Sequence, residues 1–182
     1  MSTASSSSTN QKVVVFDFGA QYGQLIARRV RDLNVYSEIV PCDITADEVR
    51  EMAPAAIILS GGPASVNAED APRVDPAIYE LGVPILGFCY GHQVTSVTLG
   101  GSVYHPEVGE YGPATLHVSG GQLFAGTPAD QTVWMSHFDA VKDVPACFTV
   151  VASTDVCPVA AMECPERKIY TTQFHPEVKH TE

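Results

Sequence analysis

The chain has 182 residues, enough for one domain with a substantial core. Its 10 basic and 21 acidic residues give a net charge of −11, which argues against binding to a nucleic-acid backbone or to an anionic membrane surface. No apolar run approaches the roughly 20 residues that a membrane span needs. We therefore expect neither nucleic acid nor membrane among its partners.

The first segment, residues 1–11, is rich in Ser and Thr and has neither the basic nor the apolar region of a secretory signal. We interpret it as a disordered tail before one domain over residues 12–182. The five cysteines form no C-x-x-C pair. An odd number of cysteines without a signal fits a reducing cytoplasm, and the spacing indicates no metal site.

The first half of the chain alternates between two hydrophobic patterns. Continuous β-branched runs predict strands, and apolar residues at helical spacing predict helices. The strands are predicted at 13–18, 36–40, 55–59 and 83–88, and the helices at 21–33, 45–52, 76–81 and 92–99. Thr45 and Glu48 form a capping-box signature at the second helix. This order predicts an α/β fold with an open, mostly parallel sheet and helices on both faces.

The second half changes character from Gly100 onward, where short β-prone runs alternate with turns. The runs are residues 102–104, 114–118, 132–135, 148–152, 159–163 and 169–174. A turn at 165–168 would join the last two into a hairpin. We expect these strands to be antiparallel additions at one edge of the sheet.

Cys89 lies in the pentapeptide GFCYG, directly after a predicted strand and before a predicted helix. Glycines on both sides of a central nucleophile permit a sharp strand-to-helix turn, as in the G-x-S-x-G elbow of hydrolases. Free N–H groups at the start of the helix favour a negatively charged sulfur. The pattern therefore predicts an activated nucleophile, although a lone cysteine is more often a core residue.

A cysteine nucleophile needs a base and a group that orients the base. The tetrapeptide HPEV occurs twice, beginning at His105 and at His175. His and Glu two positions apart on an extended segment point to the same side, so either copy could serve. The second copy follows a predicted strand that could carry it to the carboxyl edge of the sheet, and we favour it.

Three motifs together resemble those of the class I glutamine amidotransferases, which have a flavodoxin-like fold. They are SGGP at 60–63, GFCYGHQ at 87–93 and QFHPEV at 173–178. Within this family the chain looks most like the glutaminase domains of GMP synthetases. The supporting stretches are DFGAQY at 17–22, ARRVR at 27–31, GEYG at 109–112 and WMSH at 134–137.

The resemblance implies a catalytic triad in which Cys89 attacks the glutamine amide, His175 is the base and Glu177 orients it. It also implies an oxyanion hole made by the backbone N–H groups of Gly62 and Tyr90. The residues implied in holding the backbone of L-glutamine are Gln93, Ser136, His137 and Asp139. His105 is left as a loop residue.

The chain departs from the pattern of GMP synthetases at three places. Phe138 stands where glycine is usual and could crowd the bound glutamine. His92 stands where methionine is common, and Thr171-Thr172 replaces a more usual Gly-Val pair. None of these changes removes the triad.

The resemblance implies an enzyme that supplies ammonia to an ATP pyrophosphatase domain or subunit of a GMP synthetase. ATP and Mg²⁺ are expected only in that synthetase part, which would be missing here, and no cofactor is expected in this chain. Two alternatives stay open. One is a weakly active or inactive regulatory or interaction module whose pocket is spoiled by Phe138. The other is a different enzyme on the same elbow, such as a γ-glutamyl hydrolase or the glutaminase of another biosynthetic pathway.

Overall fold

The computed structural model describes residues 11–181, so the predicted tail lies almost entirely outside the described residues. In this part of the chain one sheet of nine strands forms the centre, and a second sheet contains only two strands. No helix between residues 11 and 181 is both long enough and apolar enough to cross a membrane.

Five strands form the parallel part of the large sheet. They are β1 (Lys12–Asp17), β2 (Tyr36–Pro41), β3 (Ala56–Leu59), β4 (Ile85–Phe88) and β11 (Ile169–Thr172). The first strand lies between β2 and β3, and β4 lies between β3 and β11. The carboxyl ends of all five strands therefore meet at one edge.

The remaining strands of the large sheet are antiparallel to their neighbours. They are β10 (Ala161–Cys164), β9 (Thr149–Ser153), β6 (Glu110–Val118) and β7 (Asp130–His137). The order of the whole sheet is thus β2-β1-β3-β4-β11-β10-β9-β6-β7. The small sheet pairs β5 (Ser102–Tyr104) with β8 (Ala140–Asp143).

Helices cover both faces of the parallel strands, because alternate strand residues point to opposite sides. On one face α1 (Tyr22–Asp32) packs Ile26 and Ala27 against Val15. The other face belongs to a different hydrophobic core, which includes Phe16. Two helices pack there, α2 (Ala46–Glu51) and α3 (Tyr90–Thr98). The predicted α/β architecture with helices on both faces is confirmed.

The capping box of α2 forms as its sequence indicates. The Glu48 backbone N–H donates to Thr45 Oγ1 over 3.3 Å, and the Thr45 N–H donates to Glu48 Oε2 over 2.9 Å.

Three details differ from the sequence-based expectation. Residues Pro76–Glu80 form a 3₁₀ helix, which begins after an Asp75 side chain that accepts from the Ala77 N–H. Strand β8 lies outside the predicted runs because Ala140–Asp143 ends in charged residues. Strand β11 runs parallel to β4, although we expected an antiparallel addition. Its hairpin partner β10 is antiparallel to it, so the strand direction within the sheet reverses between β11 and β10.

Candidate active site

A cleft of about 510 Å³ opens at the carboxyl edge of the parallel strands. Ligands of open α/β sheets bind at this edge. Its walls come from seven segments, namely the loops after β1 and β3, the turn and helix after β4, the β5–β6 loop, strand β6, the β7–β8 turn, and the segment after β11. The residues from these segments include 19–22, 62–65, Cys89, Gln93, 136–139 and His175.

Cys89 stands at the junction of β4 and α3 with φ 51° and ψ −102°. A positive φ is rare for a residue with a side chain, and such strain is concentrated at functional sites. The Cys89 N–H donates to Thr172 O over 2.8 Å, which fixes the turn to the neighbouring strand. The structure therefore has the elbow that the glycine spacing predicted.

Close packing requires glycine at position 91, two residues after Cys89. The Gly91 N–H donates to Ser60 O over 3.1 Å. A Cβ atom on Gly91 would lie 2.3 Å from Leu59 O, closer than real Cβ contacts allow. A side chain at this position would push α3 away from β3 and displace the elbow.

His175 and Glu177 form a buried pair beside this elbow, with 2.8 Å between Nδ1 of the imidazole and Oε1 of the carboxylate. A Cβ built on Gly61 would lie 3.0 Å from His175 Cε1 and 3.6 Å from Cys89 Cβ. The imidazole of His175 and the Cβ atom of Cys89 therefore both lie next to Gly61. Because Nδ1 faces Glu177, the other ring nitrogen, Nε2, is available to exchange a proton with the thiol or with a substrate.

The segment that carries this pair is fixed by backbone contacts. The His175 N–H donates to Trp134 O over 3.1 Å, and Thr181 Oγ1 donates to His175 O over 2.7 Å. Arg29 Nε donates to Glu177 O over 3.2 Å, so α1 also holds the segment.

The electrostatics of the site favour a positively charged imidazole. Burial by itself lowers the pKa of His175, but the hydrogen bonds and the charges of Cys89 and Glu177 outweigh it and raise the pKa to about 10. A protonated His175 between a carboxylate and a sulfur is the arrangement of an activated cysteine pair.

Two backbone N–H groups beside Cys89 are suited to stabilising a negative oxygen. Tyr90 is the first residue of α3, and Gly62 belongs to the loop after β3 that lines the cleft. Within residues 11–181 neither N–H donates to another protein group. A Cβ on Gly62 would lie 2.7 Å from Phe18 O, so only glycine permits this loop to pack closely against the segment after β1.

The other four predicted site residues surround the same cleft. Gln93 is buried, and its Nε2 donates to Asp139 O over 2.7 Å. Ser136 O lies 3.7 Å from Cys89 Sγ. The His137 ring is occupied at both nitrogens, with Nδ1 3.0 Å from Asp139 O and Nε2 3.3 Å from Glu110 Oε2. These contacts leave the backbone of the β7–β8 turn as the part available to a ligand at His137.

The Asp139 carboxylate joins two loops across the mouth of the cleft. One oxygen accepts from the Ser65 hydroxyl, and the other lies 2.7 Å from His105 Nδ1. Neither Ser65 nor His105 was predicted as a site residue. The repeated HPEV motif was the one available signal for His105, and the structure brings both of its histidines to the cleft.

The family of the chain follows from its similarity to known proteins. The family model for class-I glutamine amidotransferases matches residues 14–182, which is nearly the whole chain. The chain belongs to the class-I glutamine amidotransferase family. The chain also resembles a solved glutamine amidotransferase structure from Thermotoga maritima, with a TM-score of 0.72 at 21% identity. At this identity the likeness shows a shared fold and nothing more.

Relatives of higher identity in the same family carry a more specific name. The chain is 56% identical over 183 residues to the glutamine-hydrolysing GMP synthase of Streptomyces avermitilis, covering all of this chain and 35% of that protein. It is 52% identical to the corresponding enzyme of Clostridium novyi, over 93% of this chain and 33% of the relative. The chain thus spans about a third of the length of these curated relatives.

A solved structure from Thermoplasma acidophilum, provisionally assigned as a GMP synthase subunit, is similar over almost its full length. Its TM-score is 0.81 at 34% identity, with 94% of this chain and 87% of that chain covered. This relative therefore has a size close to that of the present chain.

Proposed function

We propose that this chain hydrolyses the side-chain amide of L-glutamine to glutamate and ammonia through a thioester on Cys89. One observation carries the proposal. The cysteine occupies a strained strand-to-helix elbow, and the buried His175–Glu177 pair lies beside it. Membership of the class-I glutamine amidotransferase family supports the same reaction.

In the proposed reaction the Cys89 sulfur attacks the amide carbon of glutamine. His175 accepts the thiol proton and donates it to the amide nitrogen, which leaves as ammonia. Water then attacks the thioester, giving glutamate and restoring the thiol, with His175 acting as base again. Glu177 holds the imidazole and stabilises its charged form.

Each attack places negative charge on the former carbonyl oxygen. The N–H groups of Gly62 and Tyr90 would donate to that oxygen. One such donor is typically worth about 3 kcal/mol, or about 100-fold or more in rate. The absence of competing acceptors within residues 11–181 supports this role.

The backbone groups of glutamine would lie between the β7–β8 turn and α3. The Asp139 carboxylate is the acidic group at the cleft mouth and is suited to the α-ammonium group. The backbone of Ser136 and His137, together with Gln93, would hold the remaining polar atoms. Asp139 is already bound to His105 and Ser65, so an ammonium group would share or replace these contacts.

We further propose that the ammonia serves an ATP pyrophosphatase domain or subunit of a GMP synthetase, in purine biosynthesis. The names of the relatives at 52% and 56% identity support this partner. Residues 12–182 would then be the glutaminase domain, with ATP and Mg²⁺ used by the synthetase part. A cytoplasmic location stays a prediction.

Glutamate release is the decisive measurement. The isolated chain should hydrolyse glutamine slowly, and a GMP synthetase ATP pyrophosphatase partner with ATP, Mg²⁺ and XMP should stimulate it, because an occupied acceptor site would favour a formed oxyanion hole. Stimulation of about 100-fold needs only one regained donor. Full synthetase turnover in the isolated chain would refute this gating. No glutamate under either condition, with the Cys89→Ser variant as the blank, would indicate an inactive module.

A further inference from the structure

A second cluster of reactive side chains lies behind the β7–β8 turn, outside the proposed catalytic pair. It consists of Glu110 at the start of β6, His137 at the end of β7 and Cys157 in the loop between β9 and β10. One ligand atom from each residue lies within 4.8 Å of the other two. His137 and Cys157 are buried, and the Glu110 side chain is only 10% exposed.

The hydrogen bonds of His137 leave a conflict inside this cluster. If Nδ1 carries the proton and donates to Asp139 O at 3.0 Å, a neutral imidazole has an unprotonated Nε2. That nitrogen lies 3.3 Å from Glu110 Oε2, so two acceptors face each other in a buried place. A cation between them, either a proton or a metal ion, removes the repulsion.

The hydrogen bonds around the cluster are of the kind that orient metal ligands. A ligating histidine usually donates its other N–H to a carbonyl or carboxylate, and Asp139 O has that role here. Thr154 Oγ1 donates to Glu110 Oε1 over 2.8 Å, and it accepts from the Cys157 N–H over 2.9 Å. Thr154 therefore holds two of the three candidate ligands in place.

We propose that Glu110, His137 and Cys157 bind one divalent ion of the zinc type. The nitrogen, sulfur and oxygen set is one that zinc accepts in tetrahedral sites, and the carboxylate and thiolate charges would balance an ion of charge +2. On binding, the ion displaces the Cys157 thiol proton to solvent. The cysteine spacing alone gave no indication of such a site, because the ligands come from three separate segments.

A bound ion would stabilise the wall of the cleft. It would tie the end of β7 to β6 and to the β9–β10 loop, directly behind Ser136, whose carbonyl lies 3.7 Å from Cys89 Sγ. The three residues are thus positioning residues for the wall of the cleft. Binding of the ion would be independent of the proposed glutaminase activity.

Cobalt is the suitable probe, because thiolate ligation gives a sulfur-to-cobalt charge-transfer absorption. The full chain carrying Cys89→Ser is stripped of metal and titrated with Co²⁺, so that the catalytic thiol cannot contribute. We expect one equivalent to bind with a thiolate band, and Zn²⁺ to displace it. Thr154→Val should weaken binding about 10- to 100-fold while keeping the band.

Two buried cysteines make a matched pair of controls. Adding Cys157→Ser should abolish the band, and adding Cys164→Ser should leave it unchanged. If circular dichroism shows that Cys157→Ser does not fold, Glu110→Gln decides, and it should lose most of the affinity. The proposal is overturned if the parent shows no thiolate band, if the band survives Cys157→Ser in a folded protein, or if Glu110→Gln binds cobalt unchanged.

Discussion

The imidazole of His105 lies almost flat against the ring of Phe138, with 4.1 Å between centroids and 14° between planes. Both residues line the cleft, and His105 also contacts the Asp139 carboxylate. The bulky residue that stands where glycine is usual in GMP synthetases is therefore packed on a partner at the mouth of the cleft. This contact bears directly on how glutamine would enter.

Phe138→Gly should lower the KM for glutamine several-fold, because it removes a ring from the cleft wall. The gain is in ground-state binding, so kcat should change less. Steady-state kinetics of glutamate release would measure both constants. His105→Ala is the matched control, since it removes the stacking partner but leaves Phe138, and it should change activity little. An unchanged KM in Phe138→Gly would mean that the ring does not obstruct the substrate.

Cys89→Ser should lose glutaminase activity and still fold, because serine has a similar volume but is a much weaker nucleophile. A diazo-ketone analogue of glutamine should label Cys89 and spare the other four cysteines. Mass spectrometry of peptides would locate the label. Cys147 is the informative comparison, since its side chain is exposed but lies outside the cleft. Equal labelling of all five cysteines would contradict a specifically activated thiol.

His175→Ala should reduce kcat nearly as far as Cys89→Ser does, and the double variant should lose little more, because the members of a catalytic unit are not additive. Glu177→Gln should be milder, since an amide can still contact Nδ1 while the charge is lost. The measurement is kcat for the single and double variants. An active His175→Ala together with an inactive His105→Ala would show that the first HPEV copy supplies the base.

Alkaline pH should weaken the fold through His175. Its native pKa of about 10 lies above the unfolded value of about 6.5. Its contribution to the free energy of unfolding is therefore fully present below about pH 6.5 and is lost as the pH rises through 10. Urea unfolding of the wild type and of His175→Gln between pH 6 and 10 would test this. The stability difference between them should shrink with rising pH, and a constant difference would contradict the raised pKa.

Acid should weaken the fold through His92, which lies fully buried in α3 with Nδ1 2.8 Å from Thr171 Oγ1. Two departures from the family pattern thus contact each other. Burial, and then the neighbouring His137, lower the pKa of His92 to about 3, partly offset by the Val159 backbone. Because the native pKa lies below the unfolded value, the stabilising contribution is present above about pH 6.5 and is lost as the pH falls towards 3.

The stability of His92→Met relative to the wild type should therefore increase as the pH falls from 7 to 4, as measured by urea unfolding. His117→Gln provides a control of opposite sign. The Asp130 carboxylate, which accepts a hydrogen bond from the exposed His117 ring, raises the pKa of His117, so acid strengthens its contribution. Parallel pH curves for His92→Met and the wild type would contradict a neutral buried His92.

Local sequence patterns were sufficient to predict the alternating β-α order, the capping box of α2 and the elbow around Cys89. These features depend on residues that are near in the chain, such as the glycines beside Cys89 and the Thr45–Glu48 pair. The family followed from three short motifs for the same reason. Even the choice between the two HPEV copies had a local basis in the strand before His175.

Contacts between residues that are distant in the chain could not be predicted in this way, because they depend on how whole elements pack. Strand β11 is parallel because of its pairing with β4, and no local pattern specifies the relative direction of two segments so far apart in the chain. The Asp139 bridge to Ser65 and His105, and the Glu110–His137–Cys157 cluster, each join three separate segments. A hydrophobic pattern fixes which face of an element is buried, but the packing of whole elements fixes which polar side chains share a site.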